Sequence, residues 1–221
     1  MVKKIEMFCI LDRSGSMAGA EASTIDGFNT FIKQQTKKLK GAAVTLVLFD
    51  NQYEVVYEAT KLKQVPKLNG KVYFTRGLTA LNDAIAQTLK SAQARHKNDG
   101  APDKAICLII TDGYENASND YPGEEGRKKV KKMITKLQKK EGWEFFFIGS
   151  EIDAQAVGHG IGIPMGSSVT VTSDDRGTRA AYAAMSVNVS ATLDGIAAAP
   201  LQETYDTLLD DEPEEEDEPA V

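Results

Sequence analysis

Four short runs, residues 5–11, 43–49, 105–111 and 143–149, consist almost wholly of Val, Ile, Leu, Phe and other apolar side chains. Continuous apolar runs of this length predict strands buried on both faces of a parallel sheet. "YEVVYEA" at 53–59 is more polar and predicts a short antiparallel strand at an edge. "SVTVT" at 168–172 predicts a last strand. Between these runs the apolar positions change period. Ile25, Phe28, Phe31, Ile32 and Leu39 form one stripe, Leu81, Ile85, Leu89 and Ala92 a second, and Val130, Met133, Ile134 and Leu137 a third. The spacing is that of amphipathic helices, and the alanine-rich stretch 174–194 predicts one more. Strands alternating with helices predict an α/β fold, an open and mostly parallel sheet with helices on both faces.

In such sheets ligands bind at the carboxyl ends of strands, where the winding reverses. Chemistry-bearing residues collect there. In "FCILDRSGSM" the first strand ends on Asp12, with Ser14 and Ser16 at alternate positions. "TRGLTALNDAI" places Thr79 where the chain turns after a glycine, and "AICLIITDGYENAS" places Asp112 after the strand expected across the crevice. Singly, each has a plain explanation, since Ser and Thr favour helix N-caps and Asp-Gly favours turns. Together they make two carboxylates and three hydroxyls, an oxygen-only donor set suited to a hard dication such as Mg²⁺.

"DRSGSM", "GLTAL" and "ITDG" resemble the three motifs of the von Willebrand factor A domain and its metal-ion-dependent adhesion site. The resemblance runs from residue 5 to roughly 195. It is strongest to short, stand-alone bacterial and phage members of that family. It implies a Rossmann-like, doubly wound fold and a complete adhesion site of Asp12, Ser14, Ser16, Thr79 and Asp112. It further implies Mg²⁺, or Mn²⁺ or Ca²⁺, with an open position that accepts an Asp or Glu carboxylate from a protein partner. Arg13, Met17, Arg76, Tyr114, Glu115 and Asn116 adjoin the ligands in sequence and are expected at the partner-binding rim.

Charge refines the domain plan. Of 32 acidic residues, ten fall in 201–221, which holds no Lys or Arg. Residues 1–200 then carry 26 basic against 22 acidic side chains, a balance of +4. The expectation is one domain over 1–200 and a disordered acidic tail over 201–221. Eight cations in 127–140 lie on a helix with an apolar stripe, and without interleaved aromatics this predicts a solvated face rather than a nucleic-acid site.

Cys9 and Cys107 sit in apolar runs and are expected buried and reduced. The first run contains Glu6 and lacks a following cleavage signal, so it is taken as a strand and the protein as cytoplasmic, or a virion component if of phage origin. No membrane partner is expected.

Catalysis is not expected. An aspartate after a strand serves as a phosphoryl acceptor in haloacid-dehalogenase-type phosphatases, but those need a second aspartate where Ser14 stands. GxxxxGK[ST], HExxH and GxSxG motifs are absent, and neither His96 nor His159 has a nucleophile beside it. The function expected is a metal-dependent protein-binding module. The alternative is a structural component of a larger assembly, such as a phage particle, that uses the fold for packing alone.

Overall fold

A computed structural model describes residues 4–211. The elements in chain order are β1 (Ile5–Asp12), α1 (Glu21–Lys38), β2 (Ala43–Phe49), β3 (Tyr53–Lys61), α2 (Leu81–Asp99) and β4 (Lys104–Thr111). They continue with α3 (Gly123–Glu141), β5 (Glu144–Ser150), α4 (Ala154–Gly160), β6 (Ser168–Val171), α5 (Asp175–Asp194) and α6 (Leu201–Asp211). The strands form one sheet in the order β3-β2-β1-β4-β5-β6. All pairs are parallel except β2–β3.

The run of apolar residues in β1 divides by parity, because successive side chains on a strand point to opposite faces. Met7, Cys9 and Leu11 join Phe28 and Phe31 of α1 and Met185 and Val189 of α5 in one core. Phe8 and Ile10 join Ile85 and Leu89 of α2 and Val130 and Ile134 of α3 in the other. A strand buried on both faces leaves few positions for polar side chains, hence the nearly unbroken run; Glu6, the exception, is buried and paired with Arg95 and His96. Both cysteines are free and buried, and burial pushes both thiols above their ordinary range.

The winding reverses between β1 and β4. β1 pairs with β2 on one side and β4 on the other, with Leu11 opposite Ile110. Asp12 at the end of β1 and Asp112 just after β4 therefore meet at the mouth of one crevice.

Three elements differ from the sequence expectation. β3 is an antiparallel edge, but at nine residues it is the longest strand and not a short one. Irregular register between Val44 and Val47 of β2, with Ala59 at φ 42°, lets β3 continue to Lys61. α4 has only seven residues, two of them glycine, too few to display a period. Its start is fixed by Asp153, whose Oδ1 accepts the Ala156 N–H at 2.9 Å.

The larger correction concerns residues 201–211, assigned from their charge to a disordered tail. They form α6, with Leu201 and Tyr205 buried against the α1–α5 core. The helix also closes the sheet edge. The Gln202 side-chain amide accepts the Thr170 N–H at 3.0 Å and donates to the Thr170 carbonyl at 3.4 Å. The Tyr205 hydroxyl accepts the Thr172 N–H at 3.1 Å. An open edge strand is a pairing hazard, and covering it with a helix is a standard remedy. The remainder of the expected tail, 212–221, lies outside the described residues.

Candidate metal centre

Three loops converge on the crevice mouth, tied by backbone hydrogen bonds. Gly15 N–H reaches the Gly77 carbonyl, Arg76 N–H the Arg13 carbonyl, and Asn116 N–H the Thr79 carbonyl. Gly77, at φ +68°, leaves no space for a side chain, since a Cβ there would lie 2.1 Å from Asn51 Oδ1.

The structure brings all five expected ligands together. The Thr79 hydroxyl donates to Ser14 Oγ at 3.0 Å, Ser14 Oγ lies 3.0 Å from Ser16 Oγ, and Ser16 Oγ donates to Asp112 Oδ1 at 2.6 Å. Asp12 closes the group from below: its Oδ1 accepts the Ser14 N–H at 2.7 Å and its Oδ2 the Thr111 hydroxyl at 2.5 Å. None of the three hydroxyls caps a helix. Ser14 makes no side-chain cap bond, and Ala20 and Ala80 occupy the N-cap positions of α1 and α2. The plain explanation for these residues is thereby removed.

Electrostatics sets the site apart from a polar turn. Asp12 is fully buried, and chiefly for that reason its carboxyl is pushed up to about 6; hydrogen bonds from Thr111 and Ser14 oppose the rise and the Asp112 charge adds to it. Burial also raises Asp112, against the Ser16 hydrogen bond. The nearest basic residue in sequence, Arg13, pairs elsewhere. Among the described residues no base forms an ion pair with Asp12 or Asp112, and two acids held together in poor solvent favour an incoming cation.

The donor set fits a small hard ion. Octahedral Mg²⁺ with oxygens at 2.0–2.1 Å has ligand–ligand edges of about 2.9 Å, and the chain from Thr79 through Asp112 has contacts of 3.0, 3.0 and 2.6 Å. Gly113 keeps the cradle clear, since a Cβ there would stand 2.9 Å from Thr79 Oγ1 and 3.4 Å from Ser16 Oγ. Among the described residues no three His, Cys, Asp or Glu side chains gather as a metal cluster. The centre is therefore hydroxyl-rich, unlike the nitrogen and sulfur sites of zinc.

The expected rim divides. Tyr114 is exposed, and so is Arg76, although its guanidinium is engaged by Asp50 at 2.7 Å and Gln52 at 3.0 Å. Asn116 is exposed while its Oδ1 accepts the Thr79 N–H. Three residues are corrected. Arg13 is fully buried, paired with Asp50 at 3.0 Å and Glu54 at 2.8 Å, because an aspartate directly follows β2 as well. Met17 is buried under the first loop. Glu115 caps α2 from outside, accepting the Asn82 N–H at 2.7 Å and, with its other oxygen, Ala117 and Ser118 N–H.

Sequence reasoning missed several neighbours. Thr111, the last residue of β4, holds Asp12; its place at the strand end signals it, although it falls within the apolar run 105–111. The Tyr73 hydroxyl, which donates to the Asp12 carbonyl at 2.6 Å, comes from a segment with no periodicity. Asp50 was detectable as an acid directly after a strand. Phe74 and Leu78, both exposed, add apolar surface to the loop that carries Thr79.

A six-stranded, doubly wound α/β domain with an oxygen-lined crevice at its switch point defines the class of protein. Residues 7–115 match the family model of the von Willebrand factor type A domain, and the chain carries such a domain. No curated protein matches the sequence significantly. Solved structures share the fold at low identity. The von Willebrand factor domain of the type V pili tip protein Mfa5 from Porphyromonas gingivalis is 13% identical, with a TM-score of 0.63 over 90% of this chain and 98% of that one. The PilB minor pilin from Streptococcus sanguinis is 12% identical, with a TM-score of 0.62 over 87% of this chain. The manganese-loaded TRAP protein of Plasmodium vivax is 18% identical, with a TM-score of 0.50 over 66% of this chain. The chain spans 63% of the PilB chain and 57% of the TRAP chain. Among the described residues no helix is long and apolar enough to cross a membrane.

Proposed function

We propose that this domain is a metal-dependent protein-binding module in which Asp12, Ser14, Ser16, Thr79 and Asp112 hold Mg²⁺, with Mn²⁺ and Ca²⁺ as alternatives. One observation carries the proposal: four side-chain oxygens in an unbroken chain of 2.6–3.0 Å contacts, over a buried carboxylate. The manganese in the TRAP neighbour is consistent with this use of the fold.

The cation supplies an electrophilic position that accepts an anionic oxygen. The protein's own residues do the rest. Two aspartates balance the dication, and three neutral hydroxyls fill positions without adding charge, so the centre favours one more carboxylate. Thr111 and the Ser14 amide fix the orientation of Asp12. Ser16 and Asp112, on the open side, admit a partner's Asp or Glu, and Tyr114, Leu78 and Phe74 offer apolar contact around it.

The module binds rather than catalyses. His96 pairs with Glu6 at the amino end of β1, six residues or about 20 Å from Asp12. His159 lies in the last turn of α4.

The test is partner capture on immobilised protein. A partner retained in Mg²⁺, released by EDTA and not retained by a Ser14→Ala, Ser16→Ala double variant supports the proposal. A partner held equally in EDTA contradicts it and favours a packing role.

A further inference from the structure

Beside the oxygen cluster, the carboxyl ends of β4, β5 and β6 and the first turns of α1 and α5 enclose a cavity of about 350 Å³. Ser16 and Asp112 belong to both the cluster and the cavity wall. Behind them the walls are apolar, formed by Met17, Ile110, Ile148 and Val171. A cavity of this size is at the small end of ligand sites. It holds one large side chain or a small molecule.

Two further features are unexplained by packing. Tyr182 and Ser150 line the cavity, and both hydroxyls are buried without a hydrogen-bond partner. An unmet buried hydroxyl costs about 1–3 kcal/mol, and native folds retain few. Gly27 of α1 makes room for the Tyr182 ring, since a Cβ there would lie 2.2 Å from it. At the mouth Glu151 holds φ 56°, a strained angle for a residue with a side chain, and its Oε1 accepts the Ser173 hydroxyl at 3.0 Å. Such strain gathers at ligand sites.

We infer that this cavity is a specificity subsite for an amphipathic carboxylate. The carboxylate sits at the metal beside Ser16 and Asp112, the attached apolar or aryl body fills the cavity, and a polar tip meets the Tyr182 and Ser150 hydroxyls. In a protein partner the matching element is an acidic residue flanked by a tyrosyl or large apolar side chain. The inference deepens the metal-dependent reading and rests on it for the carboxylate half alone.

Three probes separate the two halves: 3-(4-hydroxyphenyl)propanoate, p-cresol and propanoate, followed by methyl NMR of Met17, Ile110 and Ile148 with Mg²⁺ and with EDTA. With Mg²⁺ the aryl acid should bind at least about tenfold more tightly than either fragment, because linking two half-sites makes the second contact intramolecular. p-Cresol should shift the cavity methyls even in EDTA. Aryl-acid affinity unchanged by EDTA would remove the metal half and leave the subsite standing. Failure of both aryl probes to shift these methyls would overturn the subsite.

Two variants keep the outcome readable. Thr178→Phe, at a half-buried cavity position on the first turn of α5, should abolish aryl binding while Mn²⁺ affinity stays unchanged. Tyr182→Phe deletes a hydroxyl with no partner, so the fold should tolerate it. It should erase the preference for the hydroxyphenyl acid over 3-phenylpropanoate, and a retained preference would remove Tyr182 from the site.

Discussion

Asp12→Asn should stabilise the metal-free protein while destroying its metal site. The Asp12 carboxyl, fully buried, is pushed from 3.8 to about 6. Holding it ionised at neutral pH therefore costs about 3 kcal/mol. Asn is nearly isosteric and neutral. Its oxygen still accepts the Ser14 N–H, and its amide donates to Thr111 Oγ1, whose proton turns toward the Gly113 carbonyl 3.2 Å away. Weaker neutral hydrogen bonds offset part of the gain, leaving about 1–2 kcal/mol, or roughly 2–8 °C in Tm for a domain of this size.

The pH dependence follows from the sign of the shift. A carboxyl raised on folding contributes most below its unfolded value near 4, and that contribution is lost as pH rises through about 6. The variant's advantage should thus be full at pH 7.5 and gone at pH 4. Adding Mg²⁺ at one hundred times its Kd should raise wild-type stability by about 2.7 kcal/mol and leave the variant unmoved. Calorimetric melts in EDTA at several pH values read all three effects. A variant less stable than wild type at pH 7.5, or equally advantaged at pH 4, would refute the electrostatic picture.

Gly113→Ala should weaken Mn²⁺ binding at least about tenfold with little change in Tm, because its Cβ points between Thr79 Oγ1 and Ser16 Oγ; a calorimetric titration checks it, and unchanged affinity would refute it. Arg13→Ala removes one partner of a buried ion pair and should cost roughly 3 kcal/mol or more in a urea melt; a cost under 1 kcal/mol would contradict it. Truncation after Pro200 exposes Leu201's site, Tyr205's site and the edge of β6, and should cost about 3 kcal/mol or more relative to truncation after Asp211; equal stability of the two forms would contradict the docking of α6. EDTA should leave the fold intact by circular dichroism, since both cores are assembled away from the ion.

The sheet was legible because doubly buried strands leave an unambiguous apolar run, as 43–49 became β2 without change. The ligands were legible for a related reason, since a strand that ends on an acid or hydroxyl displays it at the crevice. What remained hidden depended on contacts distant in sequence. Leu201, Tyr205 and Leu208 have helical spacing, but their acidic neighbours dominate the local composition, and only packing on α5 and β6 reveals the buried face. Arg13 and Glu115 were placed by adjacency to the ligands. Adjacency says nothing about direction, and Asp50 and the open amino end of α2 drew the two side chains inward.

The central claim is that one dication is held by Asp12, Ser14, Ser16, Thr79 and Asp112. Anomalous diffraction from Mn²⁺-soaked crystals tests it most directly. The expected result is a single strong peak within hydrogen-bonding reach of Ser14 Oγ, Ser16 Oγ, Thr79 Oγ1 and Asp112, absent from crystals of Asp12→Asn. Wild-type crystals without a peak there, or with manganese only elsewhere, would contradict it.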